Sequence, residues 1–250
     1  MSLLEHCIVP DWPAPKNVKA LQTTRNGGVS TAPYASLNLG DHVGDNPLAV
    51  SRNRMLLSTL LPSEPVWLKQ VHGTAVVDAA QATCWPEADA CVSSRIGAVC
   101  VVMTADCVPV LLCDEQGSVA GAAHAGWRGL CDGVIEQTVR AMNVPPQTLM
   151  AWLGPAIGPQ AFEVGEEVRA AFIAKQREAS AAFVPRTADV ANTSGKWHAD
   201  IYQLARLRLN ALGVTRIYGG GLCTHTDSAR FFSYRRDGAT GRVGTFIWLG

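Results

Sequence analysis

Apolar positions fall into short continuous runs and into helix-spaced sets, and the two patterns predict different elements. Residues 98–103 and 108–113 are β-branched runs bounded by Asp106 and Asp114, the pattern of strands buried on both faces. They place a sheet at the centre of the chain. Residues 18–24 read as a strand entering Arg25-Asn26-Gly27-Gly28-Val29-Ser30, a turn whose paired glycines permit positive φ and which offers a backbone nest for an anion. Residues 66–68 and 75–79 read as strands around a tight His72-Gly73 bend, and 118–123 as one more short strand. Helical spacing covers 47–61, with Asn46 as cap, Pro47 at the first position and Pro62 as the stop. It returns over 130–142, ended near Pro145. Segments 150–153, 162–174, 199–212, 217–219 and 245–249 alternate between strand and helix patterns. A mixed α/β chain with helices packed outside sheets is the expectation. With no repeat, charge run or Pro/Ser linker in the sequence, residues 1–250 are expected to form one domain.

Composition narrows the partners. Of 250 residues, 48% are hydrophobic and only 17% charged, so the chain has more to bury than to solvate. Its 21 basic and 21 acidic residues cancel. No global field draws it to nucleic acid or to an anionic membrane, and a small-molecule partner is expected. The apolar stretch 96–105 stops at Asp106, short of the ~18 residues a membrane span needs. The first residues are interrupted by Glu5, His6 and Asp11 and lack the pattern of a signal peptide, so a cytoplasmic location is expected. The eight cysteines, at 7, 84, 91, 100, 107, 113, 131 and 223, include no Cys-x-x-Cys pair and read mostly as buried thiols in a reducing compartment.

Three segments put a ligand-type or nucleophilic side chain where an apolar strand meets a small-residue turn. They are Val71-His72-Gly73, Thr104-Ala105-Asp106-Cys107 and Ala123-His124-Ala125-Gly126-Trp127-Arg128. Their spacing is too wide for a local zinc knuckle but suits ligands brought together by neighbouring strands. Two His and one Cys offer three donors to Zn²⁺ with a fourth position open. The same residues also fit hydrogen-bonded turn histidines and a core thiol.

Six segments together resemble the YfiH family, the proteins called laccase-domain or polyphenol-oxidase-like and also purine nucleoside phosphorylases. They are Thr24 to Ser30 (TRNGGVS), Ser36-Leu37-Asn38-Leu39-Gly40 with His42-Val43-Gly44-Asp45, Gln70-Val71-His72-Gly73, Thr104 to Pro109 (TADCVP), Ala123 to Gly129 (AHAGWRG), and Phe231 to Gly238 (FFSYRRDG) with Thr240-Gly241-Arg242. The resemblance implies an α+β fold layered α/β/β/α with mixed sheets, and a metal or catalytic centre at His72, Cys107 and His124. It implies phosphorolysis of adenosine, guanosine, inosine and methylthioadenosine, adenosine deamination, and in some bacteria editing of peptidoglycan precursors.

The residues themselves test parts of that implication. A multicopper oxidase holds its trinuclear cluster with His-x-His pairs, and no two of the six histidines here are two residues apart. A single trigonal copper site could be accommodated, but laccase catalysis is not expected. Zinc nucleobase deaminases use His-x-Glu and Pro-Cys-x-x-Cys, both absent, so any deamination here needs another base. Asp106 is a candidate by adjacency to Cys107, and a carboxylate capping the next element accounts for it equally.

Phosphorolysis needs anion-binding groups. Arg25, Arg52, Arg128, Arg235, Arg236 and Arg242 are the candidates, with Asn38 for ribose or base and Trp127 beside the site. The expected protein is a cytoplasmic Zn²⁺-dependent purine nucleoside phosphorylase with adenosine deamination at the same site. Two rivals remain: a hydrolase of UDP-linked peptidoglycan precursors, with Cys107 as nucleophile and His124 or His72 as base or with a metal, and a non-catalytic metal-binding protein.

Overall fold

A computed structural model describes residues 3–82, 85–186 and 195–250. Cys84 lies outside the described residues. Along the chain, β1 (Cys7–Ile8) and β2 (Val18–Thr23) precede α1 (Pro47–Leu57), and β3 (Val76–Asp78) and β4 (Ala90–Ser93) follow it. Then come β5 (Cys100–Thr104), β6 (Val108–Asp114) and β7 (Ala120–Ala125), before α2 (Trp127–Asp132) and α3 (Val134–Met142). Next are β8 (Leu149–Leu153), β9 (Glu163–Gly165), α4 (Glu166–Lys175), β10 (Phe183–Pro185) and β11 (Lys196–Ala199). The chain closes with α5 (Ile201–Ala211), β12 (Arg216–Gly219), α6 (Tyr234–Asp237) and β13 (Val243–Leu249). Among the described residues no helix is long and apolar enough to cross a membrane.

The strands form a six-stranded sheet ordered β12-β8-β6-β7-β4-β3, a four-stranded sheet ordered β1-β2-β13-β5, and a small sheet β10-β11-β9. The large sheet is mixed, because β12 runs parallel to β8 and β3 parallel to β4 while the inner pairs are antiparallel. Period-2 alternation explains the layering. On β6, Val108, Val110 and Leu112 pack with Leu130, Ile135 and Leu204 from the helices, while Leu111 and Cys113 face Cys100, Val102 and Ile247 of the other sheet. On β5, Val101 and Met103 turn the opposite way, onto a core that includes Leu57 of α1. The order is therefore helices, six-stranded sheet, four-stranded sheet, helix: an α+β fold with the α/β/β/α layers the resemblance implies.

Three expectations need correction. The helix expected over 47–61 ends at Leu57; Asn46 caps it as read, accepting from the Leu48 N–H, but the chain turns at Ser58, four residues before Pro62. The helix expected over 130–142 begins earlier, at Trp127, and is split in two by Gly133 at φ +106°. Residues 66–68 form no strand; Val66 makes a lone bridge to Cys100. The strand β4 was not legible, since its Ala, Cys and Ser residues match neither rhythm.

Candidate active site and metal centre

The centre grows out of a corner between the two large sheets. β5 belongs to one sheet and β6 to the other, so the three-residue turn between them crosses from layer to layer and carries Cys107 at its end. His124 lies on β7 directly opposite Pro109 of β6, which brings it beside Cys107. His72 reaches the same point from the loop before β3, with its backbone at φ +61°. The donor atoms of His72, Cys107 and His124 lie within 4.8 Å of one another, with Cys107 Sγ 3.9 Å from His72 Nε2. The two rings meet edge to face at 4.8 Å between centroids. Burial is graded: His124 is buried, Cys107 half-buried and His72 exposed.

One carboxylate that the sequence reading passed over holds this arrangement. Asp89 Oδ1 takes His124 Nδ1 at 2.8 Å and the His72 N–H at 2.9 Å; Oδ2 accepts the N–H groups of Val71 at 3.1 Å and Gly73 at 2.6 Å. Asp89 is fully buried. It fixes the His72 loop and turns His124 so that Nε2 faces Cys107, the outer-shell role a carboxylate plays behind a ligating imidazole. Its only signal in the sequence is a lone acid between the apolar Ala88 and Ala90. Burial alone would push its carboxyl up, but the His124 hydrogen bond and charge, with the Gly73 and Val71 N–H groups, hold it below the ordinary value.

Electrostatics couple the other members. Burial opposes a thiolate at Cys107, yet the charges and hydrogen bonds of His124 and His72 bring the thiol down to about 6. Burial likewise opposes a cation at His124, and Cys107 and Asp89 raise it to about 9. Without metal, Cys107 and His124 form a thiolate–imidazolium pair.

Two glycines of the Gly126-Trp127-Arg128-Gly129 turn leave room for this packing. A Cβ at Gly126 would stand 2.6 Å from His72 Cδ2 and 3.0 Å from Cys107 Sγ, and one at Gly129 would stand 2.7 Å from the Gly73 carbonyl oxygen. The Gly126 backbone, at φ −68°, is one that alanine adopts freely. Gly126→Ala should therefore fold but displace His72 and Cys107, weakening metal retention by roughly tenfold or more. Metal analysis after dialysis, with far-UV circular dichroism as the fold control, checks this; full metal content would refute the cradle.

The three side chains open on a cavity of about 560 Å³ whose wall also includes His42, Gln70, Trp127, Phe162, Tyr234, Arg235 and Arg242. Gln70 clamps the end of β5 by exchanging hydrogen bonds with the N–H and carbonyl of Met103. Partial burial and the Arg242 charge lower His42, which leaves its ring uncharged at neutral pH. Arg235 gives Nη1 to the Glu163 carbonyl and Arg242 gives Nη1 to those of Thr240 and Gly241. Among the described residues their other guanidinium N–H groups have no partner. Asp106 also lines the cavity, with Oδ1 accepting from Thr224 Oγ1 and Oδ2 from the Arg235 N–H, both at 2.7 Å.

The remaining sequence candidates are not brought to the cavity. Arg25 spends its guanidinium on the carbonyls of Ala35 and Ser228 and lies over the Phe232 ring. Asn38, fully buried, is saturated by Gly40, Asp45 and the Arg242 N–H. Arg52 is exposed on α1, Arg128 is exposed and lies over the Trp127 ring, and Arg236 binds the carbonyls of Thr224, His225 and Phe231 and the Asp237 carboxylate. These groups hold loops or meet solvent, as an arginine or a turn asparagine does by default.

Comparison with known proteins shows what the whole chain is similar to. Residues 19–250 match the family described as multi-copper polyphenol oxidoreductase laccase. A purine nucleoside phosphorylase of Pseudomonas aeruginosa is 54% identical over 242 residues, covering 97% of this chain and 98% of its own. The purine nucleoside phosphorylase YfiH of Escherichia coli is 55% identical over 245 residues with the same coverage. The crystal structure of the Neisseria meningitidis protein NMB0706 superposes with a TM-score of 0.92 at 53% identity, over 98% of this chain and 99% of that one. YlmD of Geobacillus stearothermophilus gives 0.84 at 32% identity, over 95% and 93%.

Proposed function

We propose that this chain, which belongs to the family described as multi-copper polyphenol oxidoreductase laccase, is a zinc-dependent purine nucleoside phosphorylase acting on adenosine, guanosine, inosine and methylthioadenosine in the cytoplasm. The observation that carries the reading is one cavity in which the His72, Cys107 and His124 donors share a wall with two arginines and three aromatic side chains. Adenosine deamination at the same cavity belongs to the reading as a second activity.

The donor set fits zinc. Ligands of a tetrahedral Zn²⁺ stand about 3.5 Å apart, given metal–ligand distances of roughly 2.0–2.3 Å. The three donors lie within 4.8 Å of one another, with Cys107 Sγ and His72 Nε2 at 3.9 Å, so the side chains reach that spacing by a convergence of about 1 Å. Two imidazoles and a thiolate also suit copper, but the absence of any His-x-His pair argues against laccase chemistry. Bound at these three residues, zinc would supply a Lewis acid with one position open to a ligand.

The chain's own groups do the rest. Arg235 and Arg242 offer paired N–H donors to a phosphate, and Trp127, Phe162 and Tyr234 offer faces to a purine. A phosphate oxygen attacks the anomeric carbon of the ribose, the bond to the purine nitrogen breaks, and its electron pair leaves with the base, which is then protonated. The products are ribose 1-phosphate and free base in equal amounts. Arg242→Ala should raise the phosphate KM by roughly tenfold or more, the scale of one charge-assisted contact, with a smaller change in the inosine KM. An unchanged phosphate KM in both Arg242→Ala and Arg235→Ala would remove these arginines from the reading, and absence of ribose 1-phosphate from wild type would remove the reading itself.

A second reading rests on the depressed Cys107 thiol beside His124, the pairing a thiol hydrolase of UDP-linked cell-wall precursors would use.

A further inference from the structure

Asp106 is the residue at which the corner carrying Cys107 is tied to the C-terminal segment carrying Arg235 and Arg242. Its backbone sits at φ +92°, in the left-handed region, between the strand end at Thr104 and Cys107. Few side chains accept that conformation, aspartate and asparagine being among those that do. Three bonds converge there. The Asp106 carbonyl accepts the Ile157 N–H at 2.9 Å, Oδ1 accepts the buried Thr224 hydroxyl, and Oδ2 accepts the N–H of Arg235 in the first turn of α6. Arg235 is thus held at both ends: its backbone by Asp106, its guanidinium by the Glu163 carbonyl and the face of Phe162.

We propose that Asp106 is a positioning residue, not a proton carrier: it aims Arg235 into the cavity by fixing the start of α6 against the Cys107 corner, and so sets phosphate affinity. This inference rests on the phosphorylase reading above. The hydrogen-bond geometry makes an unusual forecast for the isosteric variant. In Asp106→Asn the amide NH₂ can face Thr224, whose hydroxyl rotates to accept it, while the amide oxygen still accepts from Arg235. Both ties survive without the charge.

The experiment is steady-state phosphorolysis of inosine with phosphate and inosine varied separately. Asp106→Gly accepts the positive φ without strain and removes both ties, so the phosphate KM should rise roughly tenfold or more while kcat at saturating phosphate and the inosine KM change less. Asp106→Asn should stay within about threefold of wild type in both constants and keep its pH profile, because its ties are retained. Thr224→Val, which removes a single tie and leaves the carboxylate in place, should shift the phosphate KM in the same direction by a smaller factor, and it serves as the test should Asp106→Gly fail to fold. A large fall in kcat at saturating phosphate in the asparagine and glycine variants alike, or loss of a limb of the pH profile in the asparagine variant, would make Asp106 a proton carrier and overturn the inference. A phosphate KM unmoved in both Asp106→Gly and Thr224→Val would overturn it as well. Failure of the underlying reading looks different: wild type itself then gives no phosphate-dependent turnover.

Discussion

Replacing Cys107 with serine should leave the protein folded and nearly free of metal. A neutral hydroxyl takes the place of a thiolate in a three-residue donor set, and the two histidines alone cannot close a site whose other positions go to water. Zinc in freshly purified protein should fall from about one ion per chain to a small fraction of that, and inosine phosphorolysis should be lost with it. Cys113→Ala is the control, because that thiol is buried in the core between the two large sheets and away from the donor cluster. Equal zinc in wild type and in the Cys107, His72 and His124 variants would falsify the metal assignment. Asp89→Asn should behave as a weaker version of the ligand variants, even though it is isosteric. Whichever way the amide is turned, its NH₂ confronts two donors: His124 Nδ1 and the His72 N–H on one side, or the Val71 and Gly73 N–H groups on the other. A loss of metal affinity of roughly 10–100-fold is the usual consequence of disturbing such an outer partner. Asparagine should thus be tolerated at Asp106 and not at Asp89, because one carboxylate faces a rotatable hydroxyl and the other faces only fixed donors.

How much of this was legible in the sequence depended on what each residue does. β5 and β6 were readable because both are buried along their whole length and are apolar up to their last residue. The trio was legible only as residue types at strand–turn junctions, which suit ligands and suit hydrogen-bonded turn histidines and a core thiol as well. That the three side chains converge follows from the pairing of β6 with β7 and from the His72 loop, which local spacing does not show. Asp89 was not legible, because its work is to accept from backbone N–H groups and from a ring 35 positions away, and nothing in local spacing marks that. Which of the candidate arginines reaches the cavity was hard to read for a related reason. Arg25 and Arg235 look alike in sequence, each beside a glycine-containing or helix-starting turn, yet one guanidinium is consumed by the carbonyls of Ala35 and Ser228 and the other keeps donors facing the cavity. Which carbonyls a long side chain meets is settled by tertiary packing: the C-terminal segment brings Ser228 to Arg25, and Arg235, on that same segment, meets Glu163 of β9. Gly126 carried its signal only through the family motif, and the space it leaves beside His72 explains why a side chain does not fit there.

The second large effect separates the metal-dependent phosphorylase from the thiol hydrolase, and it is read at Cys107 itself. In the metal-loaded protein the thiolate is occupied, so iodoacetamide should label the Cys107 peptide slowly at every pH; after a chelator it should label readily. In the metal-free protein the rate should rise with a midpoint near pH 6, where the neighbouring imidazoles have moved the thiol, and not near its ordinary 9.0. Stability of that metal-free form follows from the same two groups. The Cys107 value is depressed on folding, so its contribution is complete above 9.0 and is lost as pH falls through about 6. The His124 value is raised, so its contribution is complete below 6.5 and is lost as pH rises through about 9. Between 6.5 and about 9 the gain from Cys107 and the loss from His124 run opposite and cancel, so from this pair thermal unfolding after chelation should be nearly independent of pH above about 6.5, with only a shallow decline as pH falls through about 6. A hydrolase that keeps Cys107 free for attack predicts the contrary labelling: rapid alkylation of protein as purified, indifferent to chelator. It also predicts release of an amino acid from a nucleotide-linked cell-wall precursor without phosphate, abolished in Cys107→Ala. The phosphorylase predicts slow labelling until metal is removed and ribose 1-phosphate as product, so the two chemistries give opposite results at one sulfur atom.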